Sequence, residues 1–384
     1  MKRKIFSLLV LSLLLSSCGS KTVSKSTSDY VSSIDIFKYQ DEVKILQLTD
    51  IHWSFSTRES REKKYLEALV KKADPDIIVT TGDNILAANK ETLDDLTSFL
   101  DGLTNSKGKR IYWGITWGNH DRQGVFSPDY PDSLAKSYNT EINYSYNSES
   151  EHYGLHRSNL DDGVYGRCNY VVNLTDGTNT YWKLYMVDSN CDYYTEGQYE
   201  YDAINENQIE WFKKMASEDS AKGLAFFHIP LFQIAYAHDN MMDGVIADGD
   251  YGGEFYEKKD TSQNLAKYVK HEESTAMYPG YRDTGFYSVA KENNVKGIFF
   301  GHDHVNDFWA LYDENATKGN NPNGTSDDIL LAYGIKTGDS LYYKSNMLGG
   351  SLITVKKDGE FNGHESQLGD TSFQHIYLNY EDVK

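Results

Sequence analysis

The chain has little cysteine, few basic residues and almost no long apolar runs. Only 3 of its 384 residues are cysteine, which argues against a metal site built on thiolates. Acidic residues outnumber basic ones by 57 to 38, giving a formal charge of −19. That balance argues against wrapping DNA or RNA, whose phosphates need lysine and arginine, and against docking on anionic lipid through a basic patch. Beyond Leu15, no segment of the sequence is apolar enough to span a membrane.

The first residues are predicted to be a signal peptide. Residues 2–4 are basic, and residues 5–15 form an apolar stretch too short to cross a bilayer comfortably. Residues 15–18, "LSSC", resemble the lipobox of bacterial lipoproteins, which implies cleavage before Cys18 and acylation of its thiol. The alternative is an ordinary secretory signal with a chance cysteine. We therefore expect an exported protein, held on the extracellular or periplasmic side of a cell membrane by a lipid on Cys18 alone.

These features divide the chain into a signal peptide (1–17), a flexible tether (18–35) and one domain (36–384). The tether is rich in serine, threonine and lysine and has almost nothing to bury, so its reach is on the order of 20 Å. The remainder is long enough to bury a large core.

From residue 43 onward, strand-like apolar runs alternate with amphipathic helical patterns. Such alternation favours βαβ units and a sheet covered by helices. Strands are predicted at 43–49, 76–81, 110–116, 223–228, 295–300, 328–335, 350–357 and 373–380, and helices at 59–72, 91–103, 204–216 and 285–294.

Two cysteines flank a predicted hairpin whose turn contains the Asp-Gly pair at 176–177. If Thr175 pairs with Thr178, Cys191 lies about six positions beyond the residue opposite Cys168. That offset is roughly 20 Å, far more than a disulfide spans. We therefore predict two unpaired thiols.

A polar segment, Gly301–His304, directly follows the apolar run 295–300. Because side chains alternate along an extended chain, His302 and His304 are predicted to point to one side and Asp303 to the other. One such motif alone is usually just a polar loop after a strand. Whether His302 and His304 form part of a binding site therefore depends on the residues found elsewhere in the chain.

Polar side chains also follow four other predicted strands, at the point where each strand ends. The carboxyl edge of an open α/β sheet is where ligands usually bind. One histidine at a strand end is usually just a satisfied hydrogen-bonding group, but five such ends together predict a metal site. The additional residues are Asp50 and His52, Asp83 after Gly82, Asn119, His120 and Asp121 after Gly118, and His228.

The order and spacing of these residues resemble the motifs of the calcineurin-like metallophosphoesterases. The resemblance extends over roughly residues 43–355 through the segments "GRCNYVV", "GGEF" and "AYGIKTG", which are similar to the purple-acid-phosphatase-like branch. It implies an α/β fold, a four-layer αββα sandwich of two mixed β-sheets flanked by helices. Leu86 stands where that branch often has a tyrosine ligand for ferric iron, which favours Mn²⁺, Fe²⁺ or Zn²⁺ here.

The same resemblance implies two divalent metal ions, for which imidazole, carboxylate and amide oxygen are suitable ligands. Two ions about 3.5–4 Å apart would clamp a phosphoryl oxygen and a bridging hydroxide nucleophile. One ion would be held by Asp50, His52, Asp83 and His304, and the other by Asp83, Asn119, His228 and His302, with Asp83 as the bridge.

His120 is the candidate general acid, with Asp121 fixing its orientation. The alternative is a histidine behind the ligands with no proton to give. Arg122 and Arg282 could recognise phosphate, since arginine suits that role, or could simply be solvated. The 30 tyrosines could stack on a sugar or nucleobase, but we favour a composition bias.

We therefore expect metal-dependent hydrolysis of phosphate esters, with phosphomonoesters favoured as substrates. One alternative is a phosphodiesterase acting on nucleotides or lipids. Another is a lipid-anchored binding protein that keeps the fold but does not catalyse a reaction. Such a protein would be free to lose some of the metal ligands and His120, whereas this sequence has all of them. A periplasmic-type solute receptor would leave the metal ligands unexplained.

Overall fold

The computed structural model describes residues 30–54, 59–87, 89–122, 153–155, 164–166, 168–195, 198–241, 278–307, 309–312, 329–359, 361 and 372–383. In chain order the strands are β1 (Val31–Ile34), β2 (Glu42–Leu48), β3 (Ile77–Thr81), β4 (Tyr112–Thr116), β5 (Tyr170–Thr175), β6 (Thr180–Met186), β7 (Asp192–Thr195), β8 (Gln198–Tyr201), β9 (Lys222–Phe226), β10 (Val295–Phe300), β11 (Trp309–Tyr312), β12 (Ile329–Tyr333), β13 (Gly349–Lys356) and β14 (Phe373–Tyr377). The helices are α1 (Glu59–Ala73), α2 (Lys90–Gly102), α3 (Glu206–Ala216), α4 (Phe232–Met241) and α5 (Phe286–Glu292), and short 3₁₀ turns lie at Ile36–Lys38, Ser345–Met347 and Tyr380–Asp382.

Two mixed sheets carry most of these strands. One has the order β1-β5-β6-β9-β10-β12-β11 and the other β14-β13-β2-β3-β4, while β7 and β8 form a separate hairpin. Strands β6, β9, β10 and β12 run parallel to one another, as do β2, β3 and β4. The carboxyl ends of each parallel set therefore meet at one edge of its sheet.

The core follows the two-residue periodicity of the strands. On β9, Leu224 and Phe226 belong to the apolar cluster that joins the two sheets, whereas Ala225 points to the opposite face. The rings of Phe299 on β10 and Phe373 on β14 are 5.6 Å apart, a direct contact between the sheets. The two sheets thus pack face to face over a shared core.

Helices cover the outer face of each sheet. Helix α1 contacts β13 and β14, and α2 contacts β4; on the other side α5 contacts β10 and packs against α3. Asn89 caps α2 by accepting from the backbone N–H of Thr92 at 3.0 Å, which satisfies a donor at the helix start. The predicted fold class, two mixed sheets flanked by helices, is confirmed.

The predicted tether ends too late. Residues 31–34 form β1, which pairs in parallel with β5, and Tyr30 and Ile34 are buried. Unlike the serine-rich stretch before them, these residues have apolar side chains to bury, so they belong to the domain and not to the tether. Residues 1–29, including Cys18 and the predicted signal peptide, lie outside the described residues. Within the described part of the chain, no helix has the length and apolar character needed to span a bilayer.

The hairpin of β5 and β6 has a longer turn than predicted. Thr175 lies opposite Thr180 and not Thr178, with a register shift beside it. The Asp176 carboxylate accepts from the backbone N–H groups of Thr178 and Asn179, both at 3.0 Å, and so stabilises a wider turn. Neither Cys168 nor Cys191 is in a disulfide, as predicted.

Candidate metal centre

The polar residues that follow the parallel strands of both sheets meet in one centre. Asp50 and Asp83 follow β2 and β3 of one sheet, and His228 and His302 follow β9 and β10 of the other. Nε2 of His228 lies 3.3 Å from Oδ1 of Asp83, which joins the two edges directly. We call the seven side chains gathered here the metal centre: Asp50, His52, Asp83, Asn119, His228, His302 and His304.

A first ligand group consists of Asp50, His52, Asp83 and His304. One possible ligand atom from each residue lies within 4.8 Å of all the others. Nε2 of His52 is 3.3 Å from Oδ2 of Asp83, and Nε2 of His304 is 3.3 Å from Oδ1 of Asp50. Donors of this type at these separations could hold a divalent ion.

A second group forms on the other side of Asp83. Oδ1 of Asn119 is 3.1 Å from Nε2 of His228 and 3.1 Å from Nδ1 of His302, and these two nitrogens are 3.3 Å apart. Asp83 presents Oδ1 to this group and Oδ2 to His52. The structure thus gathers the residues in the two sets that the resemblance implied. His302 and His304 both point into the centre, but each toward a different group.

The backbone turns sharply at the centre. Four non-glycine residues there have φ in the left-handed region: Asp50 at 50°, His52 at 48°, Asp83 at 48° and His302 at 79°. Such conformations cost of order 1 kcal/mol or more each and persist only where the surroundings impose them. Gly82 has φ +83°, and a Cβ there would lie 2.6 Å from the His228 ring, so only glycine fits. The geometry of the centre is therefore built at the expense of local stability.

The protonation states of Asp83, His52 and His302 suit metal ligands. Burial disfavours charge on Asp83, but His228 and His52 hold the pKa of its carboxyl well below the usual range. Burial, reinforced by the charge of Lys336, lowers the pKa of His52 to about 4, so its imidazole is neutral at pH 7. Burial and the charge of His228 lower the pKa of His302 to about 3. Ionised carboxylates and neutral imidazoles are the forms that bind metal. Burial disfavours charge on His228, but Asp83 raises its pKa to about 9, so a metal ion bound there would have to displace a proton.

Two buried atoms of the first group also favour a metal ion. Oδ1 of Asp50 and Nε2 of His52 make no well-aligned hydrogen bond among the described residues, although each lies 3.3 Å from a side chain of the same group. The other oxygen of Asp50 accepts from Oγ1 of Thr49 at 2.7 Å and from the backbone N–H of His302 at 3.1 Å. Buried polar atoms are rarely left without a partner, and an ion bound here would satisfy both of these. The residues present therefore fit a divalent metal ion.

A loop after β12 supports the first group from behind, a role that sequence analysis missed. Nζ of Lys336 lies 2.7 Å from Nδ1 of His52 and donates to the carbonyl oxygen of Asp50 at 3.0 Å. The carbonyl oxygen of Tyr342 pairs with Nδ1 of His304 at 2.7 Å. Lys336 is a polar residue directly after an apolar strand, the same signal that identified the ligands.

His120 lies at the opening of the centre. Its Nε2 is 4.0 Å from Oδ2 of Asp83, its side chain is 29% exposed, and its backbone N–H donates to Oδ1 of Asp83 at 2.8 Å. The Asp83 carboxylate, which lies between the two groups, thus fixes the position of His120 on its loop. An imidazole that is both next to the centre and open to solvent can exchange a proton with a bound molecule.

Asp121 does not orient the His120 imidazole as predicted. Its carboxylate accepts from the backbone N–H groups of Gly118 at 2.8 Å and Ile85 at 3.0 Å, and from the Asn84 amide at 2.8 Å. Burial, together with the charge of Asp83, raises its pKa to about 7. Asp121 therefore holds the loop that carries Asn119 and His120, and acts on the backbone and not on the imidazole.

The two arginines proposed for phosphate recognition have other partners. Arg122 forms a buried ion pair with Asp188, which follows β6. Arg282 makes two bonds to the carboxylate of Glu206, at 2.6 and 3.0 Å, on the surface at the start of α3. The predicted role of both residues in phosphate binding is not supported by this geometry.

Comparison with known proteins finds several similar chains. The chain is 28% identical over 306 residues to "Probable inactive purple acid phosphatase 29" of Arabidopsis thaliana, covering 71% of this chain and 69% of the relative. It is 24% identical over 318 residues to "Phosphatase DCR2" of Saccharomyces cerevisiae, covering 77% of this chain and 48% of that relative. Among solved structures, a dimetal phosphatase from Danio rerio aligns with a TM-score of 0.46 and 11% identity, covering 82% of this chain and 92% of that one.

The family itself is shown by the match to a family model. The model described as "Calcineurin-like phosphoesterase" matches residues 43–306, which is more than half of the chain. The matched region runs from β2 to the loop that carries His302 and His304, so it includes all seven residues of the metal centre. This chain belongs to the calcineurin-like phosphoesterase family.

Proposed function

We propose that the protein hydrolyses phosphate esters, phosphomonoesters in the first place, with two divalent metal ions bound at the metal centre. The observation that carries the proposal is the position of Asp83. One buried carboxylate presents Oδ2 to His52 and Oδ1 to His228, so it belongs to both ligand groups. A carboxylate shared in this way is suited to holding two ions side by side. Manganese, iron and zinc are all compatible with the ligands.

The charges of the centre favour phosphate. Two divalent ions would supply four positive charges, polarise the phosphoryl oxygens and make a bound water a nucleophile at neutral pH. Asp50 and Asp83 are the only carboxylates among the seven residues, because Asn119 is neutral. The loaded centre therefore keeps a positive charge that can hold a phosphate, even though the chain as a whole carries −19.

His120 is the proposed proton donor to the leaving oxygen. It is the partly exposed histidine beside the bridging carboxylate, and its backbone is fixed by Asp83. A donor at this position would lower the barrier most for alkyl esters, whose leaving alkoxide is strongly basic.

We also propose that the enzyme works outside the cell, anchored by a lipid on Cys18. The basic and apolar residues 2–15 and the following "LSSC" support this proposal. Metabolic labelling with a fatty-acid analogue would test it, because the label should be lost from a Cys18→Ala variant. Labelling that survives this substitution would overturn the assignment of the anchor.

A non-catalytic binding protein is the second candidate. A relative from Arabidopsis thaliana has the word "inactive" in its name, which is said of that protein. In this chain the seven residues of the metal centre and His120 are all present and gathered together, which supports catalysis.

The test uses the full chain loaded with Mn²⁺. Hydrolysis rates of p-nitrophenyl phosphate and bis-p-nitrophenyl phosphate are compared, with Asp83→Asn as the control. We expect faster cleavage of the monoester and a large loss of rate in the variant. Faster cleavage of the diester would make the protein a phosphodiesterase. No cleavage of either ester, with metal bound, would favour the binding protein.

A further inference from the structure

The metal centre opens to solvent over three histidines. His302 and His304 of the centre and the adjacent His120 are partly exposed, whereas the other five members of the centre are buried. The phosphoryl group of a substrate must therefore enter beside these three side chains. The organic part of the substrate then contacts the side chains that border the opening.

Tyrosines border the opening on the side of His302. The ring of Tyr201 packs edge-to-face against the His302 ring, with centroids 4.2 Å apart. Tyr278 packs edge-to-face on Tyr201 at 6.3 Å, and its backbone N–H donates to Oδ2 of Asp303 at 3.3 Å. The side chain of Tyr278 is nevertheless 51% exposed.

A second group of large side chains lies on the side of His304. The carbonyl oxygen of Tyr342 pairs with Nδ1 of His304, so this loop is fixed to the centre. Leu341, Tyr342 and Tyr343 are 49%, 48% and 38% exposed. Thus two separate segments, each tied by its backbone to the Gly301–His304 loop, place partly exposed tyrosines beside the same opening.

This placement is uneven over the surface. Seven large hydrophobic side chains are exposed among the described residues, and four of them are Tyr278, Leu341, Tyr342 and Tyr343. Folding does not explain the cluster, because exposed rings contribute little to the core. Exposed aromatic side chains grouped at a site are typical of ligand binding.

We propose that the substrates are phosphate esters whose organic part carries a planar aromatic ring, such as a nucleobase, which stacks on these tyrosines. The proposal rests on the proposed function and names its substrate class. Arg122 and Arg282 are already paired with Asp188 and Glu206, so among the described residues the exposed tyrosines are the groups placed to contact the organic part. A tyrosine face accepts any base, because every base has a π-face.

The test compares two esters that differ only in the ring. Adenosine 5′-monophosphate and ribose 5-phosphate both release a primary 5′ alcohol, so their leaving groups are matched. With the full chain and Mn²⁺ we expect kcat/KM to favour the nucleotide by roughly 5- to 150-fold, which corresponds to a stacking free energy of about 1–3 kcal/mol.

Variants at both edges of the opening locate the contact. Tyr278→Ala or Tyr342→Ala should bring the ratio of the two kcat/KM values close to one, mainly by raising KM for the nucleotide. The matching Phe variants keep the ring and should keep the ratio. Tyr39→Ala is the control, since Tyr39 is 73% exposed and follows the 3₁₀ turn near β1 and β2, where it plays no part in the centre.

The outcomes separate this inference from the proposed function. Hydrolysis of both esters with equal kcat/KM would overturn the stacking proposal and leave the phosphoesterase function in place. A preference that survives both Ala variants would also overturn it. If neither ester is hydrolysed, the proposed function fails. The dissociation constants of adenosine 5′-monophosphate and ribose 5-phosphate from the metal-loaded protein then test the stacking, and equal constants would overturn it.

Discussion

Lys336 supports His52 from behind the metal centre: its Nζ lies 2.7 Å from Nδ1 of that imidazole. The same ammonium group donates to the carbonyl oxygen of Asp50 at 3.0 Å. Burial lowers the pKa of Lys336 to about 8, so the lysine is kept in a place that disfavours its charge. One side chain therefore fixes two residues of the first ligand group, at a cost to stability.

Replacing this lysine should weaken metal binding. Lys336→Met keeps much of the volume but loses both contacts. With a metal ion on Nε2 of His52, Nδ1 carries the proton, so Lys336 would support this tautomer as a neutral amine that accepts from Nδ1, a form that its lowered pKa of about 8 makes accessible. Groups behind a ligating histidine typically contribute 10- to 100-fold in affinity. We expect a loss of that size for Mn²⁺ at the first ligand group, measured by competition with a chelating dye. Lys357→Met is the matched control, because Lys357 lies beyond the far end of β13 and bonds to the carbonyl oxygen of Phe37. Equal affinities in both variants would contradict the role of Lys336.

His120→Ala should affect esters according to their leaving group. If His120 gives the proton, ribose 5-phosphate should lose about 10²- to 10⁴-fold in kcat, because its alkoxide needs protonation. p-Nitrophenyl phosphate should lose much less, since nitrophenolate leaves without a proton. Equal losses for both esters would mean that His120 positions the substrate and does not act as an acid. Metal content has to be measured in parallel, because His120 lies 4.0 Å from the carboxylate of Asp83.

The same sequence pattern predicts both the strands of the parallel sets and the residues of the metal centre. Each ligand loop directly follows a buried apolar strand, as Asp83 follows Ile77–Thr81, so local pattern and site coincide. Strand β10 was predicted with its observed bounds, Val295–Phe300. Lys336 was missed although it directly follows the predicted strand 328–335, because a lysine ammonium is not itself a metal ligand.

Contacts between distant segments could not be predicted in this way. Nothing near Arg122 in sequence indicates that its partner is Asp188, which lies 66 positions further on. The role of Asp121 depends on the Gly82–Ile85 loop, whose approach is set by the pairing of β3 with β4. Strand β1 was overlooked because its pairing with β5 links segments far apart in the chain. Local patterns fix elements and strand ends, whereas these pairs arise only from the tertiary fold.

Asp121→Asn should destabilise the loop of the centre. The wild-type carboxylate accepts from two backbone N–H groups and one amide, and an asparagine would turn an NH₂ group toward at least one of these donors. An unsatisfied buried donor costs about 1–3 kcal/mol, so the free energy of unfolding should fall by that amount in urea titrations. The half-buried Asp74, which accepts from the backbone N–H and hydroxyl of Ser106 outside the centre, provides the control Asp74→Asn. If the two variants unfold at the same urea concentration, Asp121 is not needed to hold the loop.

The ion pair of Arg122 with Asp188 should be the more important of the two arginine pairs for stability. Asp188 is fully buried and the Arg122 side chain is only 12% exposed, so Arg122→Met leaves a buried carboxylate without its cation. Breaking such a pair costs about 3–5 kcal/mol, which should appear as a lower free energy of unfolding. Arg282→Met breaks a pair whose side chains are 38% and 63% exposed, and should cost less than about 1 kcal/mol.

The double variant Arg122→Met/Asp188→Leu should recover part of the stability lost in Arg122→Met, because it removes the buried charge that the single variant leaves without a partner. No recovery in the double variant would show that packing around Arg122, and not its charge, provides the stability.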